Sequence, residues 1–255
     1  MGAVDGKHVC IDCPKKGGSL FYNYKNFHST VLMAICDAKY RFLFVSIGSY
    51  GRDNDASIFS QTDICKGIEN GVFQIPASSL INGYMLPYVF TGDDIFPLKS
   101  WLMKPFPGKG LTEKQAIYNY RLSRCRRTVE NTFGILAARW RIFRRPIRAQ
   151  VTTVDHIVQA TICLHNYLAL THNARYIPQG FVDSEDKSGN LVCGEWRQII
   201  HSDEISLQAL RRTGSNTYSF TAKSVRENFC EYFNSKEGSL PWQLNYVRYS
   251  GKKYI

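Results

Sequence analysis

The sequence predicts an α/β fold, and three observations carry that expectation. The first fifty residues hold three runs rich in β-branched and apolar residues, joined by short polar links, which read as an antiparallel meander. A later apolar run, PYVFT, leads into Gly92, Asp93 and Asp94, placing acidic residues just past the carboxyl end of a strand. Beyond it, helical periodicity takes over, most clearly from Asn119 to Arg148 and from Val151 to Leu170.

Taken in order, AVDGKHVCID reads as a strand that begins almost at residue 1 and contains Asp5. Gly17 and Gly18 mark a turn before a polar, aromatic segment. TVLMAICDA and YRFLFVSIGSY then form a hairpin around Asp37 to Lys39. Gly48 and Gly51 break the sheet, and Asp55 is placed to cap one short helix, ASIFSQTDICKGI. After PYVFT, LMKPF is a further short strand, followed by a glycine-rich loop from Gly108 to Gly110 and the long basic helix, which Pro146 closes. In the next helix Val154, Ile157, Val158, Ile162 and Leu168 form the core face. His156, His165 and His172 read as packed or solvent-facing, because no acidic or cysteine partner stands at ligand spacing. DSEDKSGN, Asp183 to Asn190, reads as a mobile loop. SFTAKSVRENFCEYFNSKEG is an amphipathic helix with Val225, Phe229, Tyr232 and Phe233 inward and Gly238 as its stop. Residues 1–170 read as the main domain and 171–255 as a polar loop and helical extension packing on it.

At 255 residues, 44% apolar and 13% aromatic, the chain can build a sizeable core. No apolar run is long enough for a bilayer and the start lacks a signal-peptide core, so a soluble intracellular protein with no membrane partner is expected. The eight cysteines are then expected to be reduced. Cys10 and Cys13 form one CxxC, which alone cannot complete a tetrahedral zinc site.

Charge is concentrated in one place. From Leu111 to Arg148 nine arginines and Lys114 stand against Glu113 and Glu130, a net +8 of the chain's +11. Arginine in such excess favours bidentate phosphate contacts and a polyanionic partner. The plainer reading is a solvated helix face in which Arg126 and Arg127 pair with Glu130 at i−4 and i−3. Val129, Phe133, Leu136 and Trp140 step by four, three and four, so Glu130 sits at the margin of the buried stripe. Asp5, Asp93 and Glu130 lie on elements that can converge at one sheet edge, and carboxylates are the hard ligands that suit Mg²⁺ or Mn²⁺.

The strings VDGKHVCIDCP, GSYGRDNDASIF, LPYVFTGDDIFPLKSWLMKPFPG, NYRLSRCRRTVENTFGILAARWRIFRRPI and ICLHNYL, running in order from about Val4 to Leu168, resemble the catalytic domain of the PIF/Harbinger transposase family. The resemblance implies an RNase H-like fold, a mixed sheet with an antiparallel meander followed by parallel strands and flanked by helices. It implies a DDE site whose first aspartate is Asp5, second Asp93 and glutamate Glu130, with Asp94 the neighbouring alternative to Asp93. Asp55 matches another recurrent acidic position. The site would hold two divalent ions, Mg²⁺ or Mn²⁺, and cleave DNA phosphodiester bonds. Arg124, Arg126, Arg127, Arg139, Arg141, Arg144 and Arg145 are then the backbone-contact candidates. A Myb/SANT-like DNA-binding protein is the family's usual partner, and the nucleus the expected location. Members of that family usually carry a helical, helix-turn-helix-like region before the first catalytic strand, whereas this sequence starts four residues before Asp5. The rival expectation is a domesticated DNA-binding or adaptor protein that keeps the fold without catalysis.

Overall fold

Strand β1 (Gly2–Cys10) is buried along almost its whole length, as expected of a strand covered on both faces, and the rest of the sheet is assembled around it. A computed structural model describes residues 1–15, 17–53, 55–200, 207–210 and 218–250. After the short helix α1 (Gly18–Phe21) come β2 (Ser29–Cys36), fully buried, and β3 (Phe42–Tyr50), half-buried at the sheet edge. These three strands form the expected antiparallel meander. Helices α2 (Asp55–Gln61) and α3 (Asp63–Glu69) follow, where the sequence suggests a single helix. Thr62 divides it, because its hydroxyl donates to the Phe59 carbonyl and accepts from the Cys65 amide, ending one helix and capping the next. The first of the two begins at Asp55 itself.

A small hairpin, β4 (Ser79–Ile81) with β5 (Tyr84–Leu86), precedes two short strands, β6 (Phe90–Thr91) and β7 (Leu102–Met103), which lie parallel to β1 and to each other. The sheet order is β3-β2-β1-β6-β7, so antiparallel and parallel neighbours meet at β1. Helix α4 (Glu113–Arg139) starts with a capping box between Thr112 and Gln115. It stops at Arg139, seven residues short of the expected Pro146. Trp140 is extended, Arg144 donates to the released Ala138 carbonyl, residues Arg141–Arg144 form a 3₁₀ turn, and Ile147 then bridges Ile11 beside β1. Helix α5 (Val151–Thr171) and the turn α6 (Asn173–Tyr176) follow. His165 is packed as expected: its Nε2 donates to the Tyr40 carbonyl, leaving Nδ1 to accept from the Tyr176 hydroxyl. His156 and His172 are exposed.

The polar stretch 183–190 departs from its expectation. It belongs to a hairpin of β8 (Ser184–Glu185) and β9 (Leu191–Val192), whose turn is held by the Asp186 carboxylate accepting from the Ser188 and Asn190 amides. Helix α7 (Glu195–Ile200), strand β10 (Leu207–Ala209), helix α8 (Phe220–Asn234), the turn α9 (Gln243–Asn245) and a π-helical turn (Tyr246–Ser250) complete the described chain. Helix α8 ends at Asn234, ahead of Gly238.

Two apolar layers sandwich the sheet. On one face Ala3, Val9, Leu32 and Ala34 meet Val129, Phe133 and Leu136 of α4 and Val154, Val158 and Ile162 of α5. On the other, Val4, Val31, Met33 and Ile35 meet Ile58, Phe59 and Cys65 of the α2–α3 pair. A third cluster joins Tyr118 and Leu122 of α4 to Ala222 and Cys230 of α8. The protein is thus a mixed α/β fold with helices flanking a mixed sheet. The cysteines within the described residues are free, and no described helix is long and apolar enough to cross a membrane.

Candidate active site

One edge of β1 belongs wholly to β2; the other is shared. Gly2 and Ala3 pair with β6, whereas Lys7, His8 and Val9 pair with β10. Between these neighbours Val4, Asp5 and Gly6 have no strand partner on that side among the described residues, so the sheet splits at Asp5. Such a split, at the carboxyl ends of parallel strands, is where α/β sheets leave a crevice for ligands. Side chains alternate along a strand, so Asp5 and Lys7 share the α4-facing side with Ala3 and Val9.

The parallel register that pairs Ala3 with Thr91 brings Asp5 and Asp93 to the same level, each two residues further on. Both are buried, Asp5 to 6% and Asp93 to 8% of full exposure. Burial pushes the Asp93 carboxyl up to about 6; Arg126 opposes the rise and the charge of Asp5 adds to it. The Ile95 amide donates to Asp93 Oδ1 at 3.0 Å and fixes its rotamer. Glu130 approaches from α4, half-buried. One turn before it, Arg126 places Nη2 3.7 Å from Asp93 and 3.7 Å from Glu130. Lys7 Nζ lies 2.9 Å from Asp5 Oδ2 and 5.5 Å above the Phe133 ring. On the neighbouring strand end, buried Lys104 donates to the Asp94 carbonyl. The three acidic residues singled out from the sequence therefore border one crevice, with two cations interleaved. Among the described residues, no three His, Cys, Asp or Glu side chains are gathered closely enough to hold a metal ion.

Beside Glu130 a cavity of about 270 Å³ is lined by Lys7, Phe133, Trp196, Arg197 and Leu207. Its far wall is tied to the helix through Asn131, the residue after Glu130. Asn131 Oδ1 accepts from Trp196 Nε1 and the Asp183 amide, and its Nδ2 donates to the Asp183 carbonyl. The Asp183 carboxylate, fully buried, accepts from the Gly194 amide and from Arg197. Trp196 in turn lies against Gly134, where a Cβ would come within 2.4 Å of its ring.

The arginines singled out from the sequence divide four ways. Arg124 and Arg127 converge on Glu185 at 2.7 and 2.8 Å. Arg139 and Arg144 donate to the Tyr176 and Ala138 carbonyls, and Arg126 belongs to the acidic crevice. Arg141 and Arg145 are exposed. Sequence reasoning missed Lys7, although its i+2 spacing from Asp5 puts the two on one strand face. It also missed Asp183 and Arg197, whose pairing depends on a hairpin hidden in polar composition.

Comparison with known proteins gives a family to this arrangement, an acidic crevice at a sheet split beside an arginine-rich helix. The family model described as "DDE superfamily endonuclease" matches residues 4–166. An Arabidopsis thaliana protein, "Protein ALP1-like", is 28% identical over 55% of this chain and 36% of its own length. A Mus musculus protein, "Putative nuclease HARBI1", is 26% identical over 68% of this chain and 46% of its own length. The chain belongs to the DDE superfamily endonucleases, in their PIF/Harbinger branch. It spans less than half the length of these curated relatives. No solved structure matches it.

Proposed function

We propose that the chain is an RNase H-like, metal-dependent DNA endonuclease or transposase domain. The observation that carries this reading is the register placing Asp5 and Asp93 level on neighbouring parallel strands, with Glu130 facing them from α4. The donors suit Mg²⁺ or Mn²⁺ in kind: three hard carboxylates, two of them buried, whose mutual repulsion a divalent cation would relieve, although, paired with Lys7 and Arg126 as they stand, they would have to draw together around it. Asp5, Asp93 and Glu130 would hold the two ions, which when bound supply Lewis acidity toward a phosphodiester and its attacking water. The chain's own residues do the rest. The Ile95 amide orients Asp93, the Asn131 network fixes the turn of α4 carrying Glu130, and exposed Arg141 and Arg145 contact DNA backbone phosphates. A Myb/SANT-like partner supplies sequence preference, and the protein works in the nucleus.

Nicking of supercoiled plasmid in Mg²⁺, Mn²⁺ or EDTA tests this reading. Metal-dependent nicking that falls by at least ~10³-fold in Glu130→Gln, the scale for removing a group from a catalytic set, is the expected outcome. A second reading draws on the carboxylates being spaced by Lys7 and Arg126: a domesticated DNA-binding or adaptor protein that no longer cleaves. Absence of nicking by wild type, with salt-sensitive DNA binding retained in Asp5→Ala/Asp93→Ala, would establish it in place of the first.

A further inference from the structure

We propose that Lys7 and Arg126 are built-in counter-ions of the acidic crevice: they neutralise Asp5, Asp93 and Glu130 in the metal-free protein and transfer to the nucleic-acid backbone when a divalent cation takes their place. This rests on the metal-dependent reading above and adds a coupling to it, in which metal and DNA each strengthen the binding of the other.

The charge balance comes first. Three carboxylates against two cations leave the crevice at −1. Lys7 and Arg126 together carry the charge of one divalent ion, so exchanging them for it leaves the crevice at −1, and the second ion of the reading above raises it to +1, the complement of a single phosphodiester. Without Lys7 and Arg126, two buried aspartates on adjacent strands and a facing glutamate would repel one another in a poorly solvated site. Arg197, the other cation lining the adjoining cavity, is committed to Asp183 and does not share this duty.

The grip on Arg126 is loose. Its Nη2 stands 3.7 Å from both carboxylates, and its Nε is buried with no hydrogen-bond partner. One residue and two residues away on the same helix, Arg127 and Arg124 bond Glu185 at 2.8 and 2.7 Å. Helix α4 can therefore bring an arginine into tight contact with a carboxylate. At the crevice it does not, and the guanidinium keeps unspent donors in a fork suited to phosphate oxygens. Lys7 holds Asp5 more closely, on a flexible stem that also lines the cavity beside Glu130, so a change of rotamer is enough to release it.

Mn²⁺ titration calorimetry on the full chain, alone and with a phosphorothioate DNA duplex that resists cleavage, tests the coupling. Wild type is expected to bind Mn²⁺ more tightly when the duplex is present, because linkage is reciprocal. Arg126→Gln and Lys7→Gln should each bind Mn²⁺ roughly three- to fivefold more tightly without DNA, the scale of removing one ion pair, and should lose the enhancement by DNA. Variants that bind Mn²⁺ as wild type does, or more weakly, or that keep the full enhancement, overturn the proposal. Should Arg126→Gln unfold in EDTA, refolding on Mn²⁺ addition supports the counter-ion role, and unfolding in both conditions leaves Lys7→Gln to decide. Wild type that takes up no Mn²⁺ at all instead removes the metal-dependent reading itself.

Discussion

Two sets of ion pairs lie side by side on α4, and they are built differently. Around Asn131 the set is tight: Arg124 and Arg127 grip Glu185, and Arg197 grips a fully buried Asp183 that also accepts the Gly194 amide. At the acidic crevice the set is slack, with Arg126 3.7 Å from each of two carboxylates and without a hydrogen bond at Nε. A buried pair stabilises only when its geometry is good and its remaining polar atoms are bonded. The Asp183–Arg197 pair meets that condition, Glu185 is gripped closely although its Oε2 has an ion-pair contact and no hydrogen bond, and together they fasten the 183–200 segment to the helix. The second does not, which is what the proposed exchange of counter-ions requires.

The contrast can be broken most directly at its tight end. Asp183→Ala strands Arg197 and the Gly194 amide, and thermal unfolding should show a loss of about 3–5 kcal/mol; a loss below about 1 kcal/mol would mean the tight set is ornamental. At the slack end the sign reverses. The folded Asp93 carboxyl sits near 6, above the ordinary 3.8 of an unfolded aspartate, so its contribution is fully present below about pH 4 and is lost as pH rises through 6. Asp93→Asn has no such loss. Its stability relative to wild type should therefore climb between pH 4 and 7, by up to about 3 kcal/mol at 1.36 kcal/mol per pH unit. Burial pushes His8 down to about 4 and makes acid destabilising over the same range, but His8 is common to both proteins and drops out of the difference.

A smaller effect separates ionic fastening from packing. Gly134→Ala should drive a methyl into the Trp196 ring and cost about 1–3 kcal/mol, with a change in tryptophan fluorescence, while leaving the Asp183–Arg197 pair intact. The smallest concerns arginines in neither set. Replacing exposed Arg141 or Arg145 by Gln should leave melting unchanged and lower the salt dependence of DNA binding by about one in log–log slope for each phosphate no longer neutralised.

Much of this architecture is legible in the sequence. The meander follows from β-branched runs, and helices α5 and α8 from apolar spacing; motif resemblance picks out Asp5, Asp93 and Glu130, which the fold brings near one another. The interleaved cations are only half legible. Arg126 and Arg127 both stand at helical spacing from Glu130, yet Arg127 turns away to Glu185, because the i−3 and i−4 positions diverge around the helix and a hairpin occupies one side. Nothing in DSEDKSGN announces a buried aspartate. Its polar composition describes the turn correctly and conceals the aspartate that goes inside. The early stop of α4 is likewise a tertiary outcome, imposed where Ile147 rejoins β1.

Glu130 and Asn131 are neighbours on one turn of helix with opposite obligations. The first faces the crevice and keeps only a loose contact with Arg126; the second carries the hydrogen bonds that seat Trp196 and the 183–200 segment. Mutational tolerance should differ sharply between them. A lineage that gave up cutting could drift at Glu130 and still inherit a folded protein, whereas drift at Asn131 would unfasten the architecture. Domestication of such a domain is thus a short step in sequence space: the chemistry can be shed one side chain at a time, and the scaffold survives to be used for something else.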